Sequence, residues 1–305
     1  MGKMGNLKLI ILCGGNSSER NVSVCSGNAI YDSLIESYSV DLINYSGNIE
    51  KYLSQLKSGD LVINALHGGD GENGIIQTYF EQNKIKYTGS NSESSKIAMD
   101  KNLTKSIAVE NNINTPRWVM SKNGEFESFL NKIINLGFPL VVKPANEGST
   151  MGLSIINSTN EIAKAFEIAS KFSNEIMFEE FIPGKELTIG ILGDRYLPIV
   201  EIVPTHELYD YECKYTKGMS KYYCPAELDE NVKQKMQKDS LKLHKILGCR
   251  HYSRVDFRLT RQNKYSMLEI NTLPGMTSTS LLPKAAKADK ISFYELLNKI
   301  IELAI

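Results

Sequence analysis

Several short segments of the chain concentrate residue types that act on phosphates, carboxylates and metal ions. The densest is C-terminal, where Arg254-Val255-Asp256 is followed by Leu268-Glu269-Ile270-Asn271-Thr272-Leu273-Pro274-Gly275-Met276-Thr277 and Ser278-Thr279-Ser280-Leu281. Asp256, Glu269 and Asn271 offer hard oxygen donors on two segments patterned as adjacent strands. Alternation along a strand puts Glu269 and Asn271 on one face and sends Leu268 and Ile270 to a core. Two carboxylates and an amide oxygen on one surface suit Mg²⁺, which takes few protein ligands and completes its shell with substrate phosphates. An ordinary surface strand is the plain alternative, and it would leave like charges stacked over a core without compensation.

A second segment, Val142-Lys143-Pro144-Ala145-Asn146-Glu147-Gly148-Ser149-Thr150-Met151-Gly152, ends a strand on a lysine and follows it with a loop of amide and hydroxyl donors. Such a loop can drape donors over phosphates while the ammonium offsets their charge. It is not a Walker A loop, because no Gly-Lys-Ser/Thr follows. His67-Gly68-Gly69-Asp70-Gly71-Glu72-Asn73-Gly74 lies at the end of an apolar strand, where open α/β sheets place ligands. Cys13-Gly14-Gly15-Asn16-Ser17-Ser18-Glu19 is a strand, a glycine turn and a helix start. Its glycines and Ser/Asn run fit a tight turn and an N-cap, while Glu19 can hold a substrate ammonium or complement the helix dipole.

These residues need a scaffold. Up to residue 80, strands at 7–13, 40–45 and 61–66 alternate with helical patterns at 22–35 and 75–80, which predicts βαβ units and a parallel sheet. The polar stretch 88–95 is turn-like. Beyond it come helices at 101–112 and 126–136, strands at 140–143 and 153–156, a helix at 160–172 and a strand at 176–181. Strands at 187–192 and 196–203 flank Gly193-Asp194, a hairpin signal. A helix at 230–247 and strands at 255–259 and 266–270 complete the pattern. The expected segments are 1–92, 93–182 and 183–305.

With 305 residues, the chain has the length for more than one packed lobe. Its 35 basic and 35 acidic side chains balance, which argues against non-specific nucleic-acid binding, and no apolar run reaches membrane-span length. The N-terminus goes straight into a strand without a signal-peptide core, so a cytosolic protein is expected. Five scattered cysteines, Cys13, Cys25, Cys213, Cys224 and Cys249, have no CxxC pair and are read as buried thiols.

Taken in order, these motifs, with Met99-Asp100-Lys101, Tyr209-Asp210-Tyr211-Glu212-Cys213-Lys214-Tyr215 and Cys224-Pro225-Ala226, make the chain resemble the D-alanine–D-alanine ligases of the ATP-grasp superfamily. The resemblance runs from residue 14 to about 283. It implies an α/β, three-lobed ATP-grasp fold, with a Rossmann-like N-terminal parallel sheet and two α+β lobes sandwiching ATP. It implies ATP-dependent joining of two D-alanines through an acyl phosphate, for peptidoglycan precursor synthesis, by a cytoplasmic homodimer. Lys101 and Lys143 would hold the ATP phosphates, and Lys214 the phosphoryl group in transfer. The backbone of Glu179, Glu180, Phe181 and Ile182 would receive adenine, Glu186 the ribose, and Leu268 would join the nucleotide set. Asp256, Glu269 and Asn271 would bind two Mg²⁺ ions, with Mn²⁺ as a substitute.

For the amino acids, the resemblance places Glu19 on the ammonium of the first D-alanine, near His67, with Ser149 and Tyr215 bridging to Glu19 under a closing loop at 211–219. Arg254 and the Gly275 amide would form an oxyanion hole, and Ser280 and Leu281 would bind the second carboxylate. The chain departs from the family at Asn73, Thr150 and Glu180, where aspartate, serine and lysine are frequent. Tyr215 points to D-alanine rather than D-lactate as second substrate. A nicotinamide oxidoreductase fails because the first glycine turn lacks G-x-G-x-x-G spacing and no acidic residue ends the second strand. A silent nucleotide-binding regulator is disfavoured by the intact Asp256, Glu269, Asn271 and Arg254.

Overall fold

The computed structural model describes residues 7–122, 126–148, 150–205 and 218–305, and three sheets carry them. The first is parallel, with β1 (Lys8–Gly14) between β2 (Ser39–Tyr45) and β3 (Leu61–Asn64). Leu9, Ile10, Ile11 and Leu12 have no exposed surface, as expected of a central parallel strand covered on both faces. Helices α1 (Arg20–Leu34) and α2 (Leu53–Lys57) lie in its two crossovers, and α3 (Ile75–Gln82) follows β3.

The second sheet is antiparallel. It contains β4 (Trp118–Lys122), β5 (Leu140–Pro144), β6 (Ser154–Ile156) and β7 (Glu175–Glu180) in the order β4-β7-β5-β6. Helices α6 (Phe126–Ile134) and α7 (Ile162–Ser170) join its core, where Phe166 lies stacked near Phe178. The third sheet runs β11-β10-β8-β12-β13, with β9 (Arg195–Tyr196) paired to β8. Its members are β8 (Lys185–Leu192), β10 (Val200–Pro204), β11 (Ser220–Tyr223), β12 (Tyr252–Leu259) and β13 (Tyr265–Asn271), joined by α8 (Glu230–Ile246).

Each sheet lies within one of the three expected segments, but the helices cross between them. The polar stretch 88–95 does not stay a turn: α4 (Ser92–Met99) begins inside it, because the Asn91 side chain accepts the Ser94 N–H at 2.8 Å. Asp100 then caps α5 (Lys101–Glu110) by accepting the Leu103 N–H at 3.0 Å. Ala98 and Ala108 from this pair, with Ile113 just beyond α5, enter the core of the third sheet.

At the other end, α9 (Leu281–Ala288) and α10 (Phe293–Ala304) return to the first sheet. Ser292 and Glu295 form a reciprocal capping box at the start of α10, an S-x-x-E signal present in the sequence. Leu282, Ala286, Leu296 and Ile301 are buried in the same core as β1. The C-terminal chain thereby brings the start of α9 beside the start of α1.

The expectation for the cysteines needs correction. Cys13 and Cys249 are buried, but Cys25 is exposed and Cys224 half-buried, while Cys213 lies outside the described residues. Among the described residues no helix is long and apolar enough to cross a membrane.

Two histidines stitch the third sheet to its neighbours. His244 Nδ1 lies 2.7 Å from Ser253 Oγ, and His251 Nδ1 accepts the Gly89 N–H at 3.0 Å. Burial pushes both imidazoles down from 6.5 to about 4. An unfolded chain takes up protons near pH 6.5 and the folded one only near 4, so stability from these groups is lost as pH falls through that window. Lowering the pH from about 7 to 5 should therefore lower the melting temperature, with proton uptake on unfolding. A melting temperature flat across the range contradicts the neutral buried state. Leu296→Ala should cost about 2–5 kcal/mol in denaturant unfolding, the price of a cavity between α10 and the first sheet.

Candidate functional site

The site grows from one face of β12, β13 and β8. Arg254 stands opposite Asn271 and Asp256 opposite Glu269, after which the register shifts so that Phe257 faces Met267. Leu268 is the extra residue of a β-bulge. The bulge corrects the alternation expected from the sequence: Met267 and Ile270 go to the core, and Leu268 is half-buried on the wall of a cleft with Glu269. On the other side of β12, Asp256 pairs with Thr188 and Arg258 with Glu186. Residues directly opposite share a face, so the acids and cations of the three strands converge.

Their charges interleave. Arg254 Nε and Nη2 donate to the two Asp256 oxygens at 2.9 and 2.8 Å, and Thr188 Oγ1 donates to Asp256 Oδ1 at 2.5 Å. Lys101 Nζ lies 3.2 Å from Glu269 Oε2 and donates to the Glu147 carbonyl at 2.7 Å. Asn271 Oδ1 accepts the Leu273 N–H at 2.8 Å. Arg258 bonds Glu186 Oε2 at 3.1 Å and the Ile182 carbonyl at 3.0 Å. The acidic cluster read as uncompensated from the sequence is thus a lattice of alternating charge.

Two clefts open on this face and share Lys101, Gly148, Arg254, Glu269 and Leu281. The first lies between the second and third sheets. Lys143, the 179–182 segment, Glu186, Asp256 and Leu268 line it. Beneath its floor Glu179 is buried between two lysines, 2.5 Å from Lys105 Nζ and 2.6 Å from Lys143 Nζ. Burial alone would raise the Glu179 carboxyl, but Lys143 and Lys105 outweigh it and hold it below the usual carboxylate range. Burial pushes the Lys105 ammonium down to about 8 against the pull of Glu179. One carboxylate against two ammonium groups leaves a net positive charge facing the cleft. The side chain of Glu180 turns outward to Arg117, at 3.1 Å, and the Glu180 and Phe181 N–H groups donate to the carbonyls of Arg117 and Pro139.

The second cleft adjoins the first sheet. Glu19, His67, Asn271, Gly275 and Ser280 line it. Glu19 is the N-cap residue of α1 without a side-chain cap bond, and it is buried. The glycine turn before it is structural: Gly14 N–H donates to Ser23 Oγ at 2.8 Å and Gly15 N–H to the Tyr45 carbonyl at 2.9 Å. Gly68 has φ +66, and a Cβ there would sit 2.7 Å from Glu19 Oε2, so only glycine lets the His67 loop pass behind that carboxylate. Ser280 is the N-cap of α9, and its hydroxyl accepts the Thr277 N–H at 3.1 Å. Ser149, Lys214 and Tyr215 lie outside the described residues, as does most of the loop at 211–219.

The sequence reading missed Lys105, Thr188 and Arg258. For Lys105 a signal existed. The buried face of α5 is Lys101, Thr104, Lys105 and Ala108, and two lysines on a core-facing stripe demand an acidic partner. Glu179→Leu should cost about 3–5 kcal/mol by leaving two buried ammonium groups uncompensated. Breaking the exposed Arg117 to Glu180 pair with Glu180→Gln, which leaves the Arg117 bond to the Leu136 carbonyl in place, should cost under about 1 kcal/mol. Denaturant unfolding of both variants checks the contrast, and equal losses would contradict it.

A family model described as D-ala D-ala ligase C-terminus matches residues 84–302. The chain is 41% identical over 298 residues to a D-alanine–D-alanine ligase of Aquifex aeolicus, covering 97% of this chain and 100% of that one. It is 40% identical to a ligase of the same name from Carboxydothermus hydrogenoformans, with 98% of each chain covered. Among solved structures, the Bacillus anthracis D-alanine–D-alanine ligase complexed with ATP superposes with a TM-score of 0.84 at 34% identity, covering 98% of this chain and 96% of that one. The Enterococcus faecalis VanG D-Ala:D-Ser ligase superposes with a TM-score of 0.86 at 30% identity, covering 98% and 100%. The sheet layers and paired clefts are therefore an ATP-grasp fold, and the chain belongs to the D-alanine–D-alanine ligase family.

Proposed function

We propose that the protein joins two D-alanines to D-alanyl-D-alanine at the expense of ATP, and so supplies the dipeptide of the peptidoglycan precursor. The observation that carries this reading is the shared wall of the two clefts. Arg254, Glu269 and Lys101 border both the cleft that Lys143 enters and the one containing Glu19. A phosphate donor on one side and an amino acid on the other would meet there.

In this reading ATP occupies the first cleft. Lys101 and Lys143 face its phosphates, Glu186 its ribose and Leu268 its base, and the 179–182 backbone receives adenine through groups other than the two committed N–H donors. Glu19 takes the ammonium of the first D-alanine beside His67. Phosphoryl transfer to its carboxylate makes an acyl phosphate, because a free carboxylate is a poor acyl donor. The amine of the second D-alanine attacks the acyl carbon and, as the C–N bond forms, the acyl C–O bond breaks and phosphate leaves; its own carboxylate is held by Ser280 and Leu281 at the start of α9. Arg254 and the Gly275 amide take the negative charge of the tetrahedral oxygen. Lys214 would contact the phosphoryl group in transfer, and Ser149 and Tyr215 would bridge to Glu19 and help keep water from the acyl phosphate.

Asp256, Glu269 and Asn271 fit Mg²⁺. Two carboxylates and an amide oxygen share one face, and among the described residues no larger acidic, histidine or cysteine cluster competes for a metal. Few protein donors plus phosphate oxygens is the usual Mg²⁺ shell, and the ion would offset charge between phosphates and the incoming carboxylate. Arg254 and Lys101, which hold Asp256 and Glu269 here, would then be released toward substrate. We also propose a cytosolic homodimer, which light scattering of the purified protein tests.

Incubation with ATP, Mg²⁺ and D-alanine should give D-alanyl-D-alanine by mass, with one phosphate released per dipeptide. Parallel reactions with L-alanine, D-lactate and D-serine define the second substrate; a product formed only with D-serine or D-lactate would replace D-alanine in that role. Arg254→Ala should lower kcat about 10²–10³-fold with a smaller change in the KM for ATP. Unchanged turnover in that variant sinks the oxyanion assignment.

A further inference from the structure

The loop that carries Gly275 is tied to the N-terminal layer by a chain of hydrogen bonds that returns to the same loop. Met276 N–H donates to Ser26 Oγ at 3.2 Å, Ser26 Oγ lies 2.9 Å from His67 Nε2, and His67 Nδ1 lies 3.1 Å from the Leu273 carbonyl. A carbonyl only accepts, so Nδ1 carries the proton. Glu72 Oε1 lies 3.6 Å from the same nitrogen. Ser26 Oγ accepts from Met276 and shares its other hydrogen bond with Nε2, whichever of the two supplies the proton. Both ring nitrogens of His67 and the Ser26 hydroxyl are engaged in the chain. Ser26 has no exposed surface and His67 is 5% exposed, so no water competes. The His67 backbone is fixed as well, because Ser17 Oγ donates to its carbonyl at 2.5 Å.

We infer that Ser26 is a positioning residue for the oxyanion site: through His67 it clasps the loop on both sides of Gly275 and sets where the Gly275 amide points. The two tethered groups, the Leu273 carbonyl and the Met276 N–H, bracket Pro274 and Gly275. Ser26 lies on the helix that begins at Glu19, two turns further along, so the clasp also holds the oxyanion amide in register with the carboxylate proposed to bind the first amino acid. A side chain cannot be removed from a backbone amide, so precision there must come from what holds the loop. A donor displaced by about 1 Å loses most of its worth to a charge that develops only in the transition state.

This inference rests on the ligase reading, and the experiment separates the two. Wild-type protein making no dipeptide from ATP and D-alanine overturns the ligase reading itself. With active wild type, Ser26→Ala should lower kcat about 10–100-fold, less than loss of a donor outright, while the KM values for ATP and D-alanine stay within about twofold. Affinity for a tetrahedral phosphinate analogue of the dipeptide should fall by a similar factor, because that analogue makes the oxyanion contact that the substrates lack. Ser26→Cys, with a weaker donor at the same place, should recover part of the loss. Unchanged kcat and analogue affinity in Ser26→Ala overturns the inference, and so does a kcat loss that runs parallel with both KM values and the melting temperature. Should Ser26→Ala fail to fold, Ser26→Cys decides: lowered kcat at constant KM supports the clasp, and wild-type kcat overturns it.

Discussion

Two carboxylates directly across from each other on neighbouring strands repel unless cations lie between them, and Asp256 and Glu269 are in that position. The site is arranged around this constraint. Arg254 reaches along its own strand to Asp256, and Lys101 reaches from the first residue of α5 to Glu269. Lys101 gets there because Asp100 caps α5 and because the apolar face of α4 and α5 packs on the third sheet. A helix pair that follows the first lobe in sequence is thus recruited to neutralise the last strand. In the proposed reaction the same charges would serve twice: the acids would exchange their cations for a metal, and the cations so released would turn to phosphate or oxyanion.

A second requirement is that the second cleft be assembled from both ends of the chain. Glu19 starts α1 near the N-terminus and Ser280 starts α9 near the C-terminus, yet both border one cleft. Burial of α9 and α10 in the core of the parallel sheet makes this hold. The last helices have no catalytic side chain beyond the start of α9, and their apolar faces act only by fixing where that start lies. Packing energy far from the second cleft thereby sets the spacing between Glu19 and Ser280, proposed above to hold an ammonium and a carboxylate.

Much of this was legible in the sequence where a local rule and the final packing agree. The run Leu9-Ile10-Ile11-Leu12 announces a buried parallel strand, and the pattern around Gly193-Asp194 announces a hairpin. The face shared by Glu269 and Asn271 follows from alternation, but Leu268 does not, because a bulge is set by pairing with β12 and leaves no mark in the period. The Ser/Asn run at 88–95 was opaque since the same residues make turns and N-caps, and only tertiary packing chooses. Lys105 was hidden by the ordinary expectation that a helical lysine is solvated, and Ser26 by the lack of any rule that gives a helical serine a distant partner.

The buried charge in the first cleft raises the question of why a costly arrangement is kept. A single Lys143 ammonium beside Glu179 would be a neutral pair, with little pull on a phosphate. Adding Lys105 beneath, with no exposure at all and its ammonium 4.9 Å above the Trp118 ring, keeps Glu179 satisfied from below. Glu179 then orients Lys143 without cancelling it. Buried ion pairs are poor stabilisers compared with apolar packing, so stability does not account for a triad here. Positioned charge does: the floor of the cleft carries one net positive charge at a fixed place, preorganised before any anionic ligand arrives.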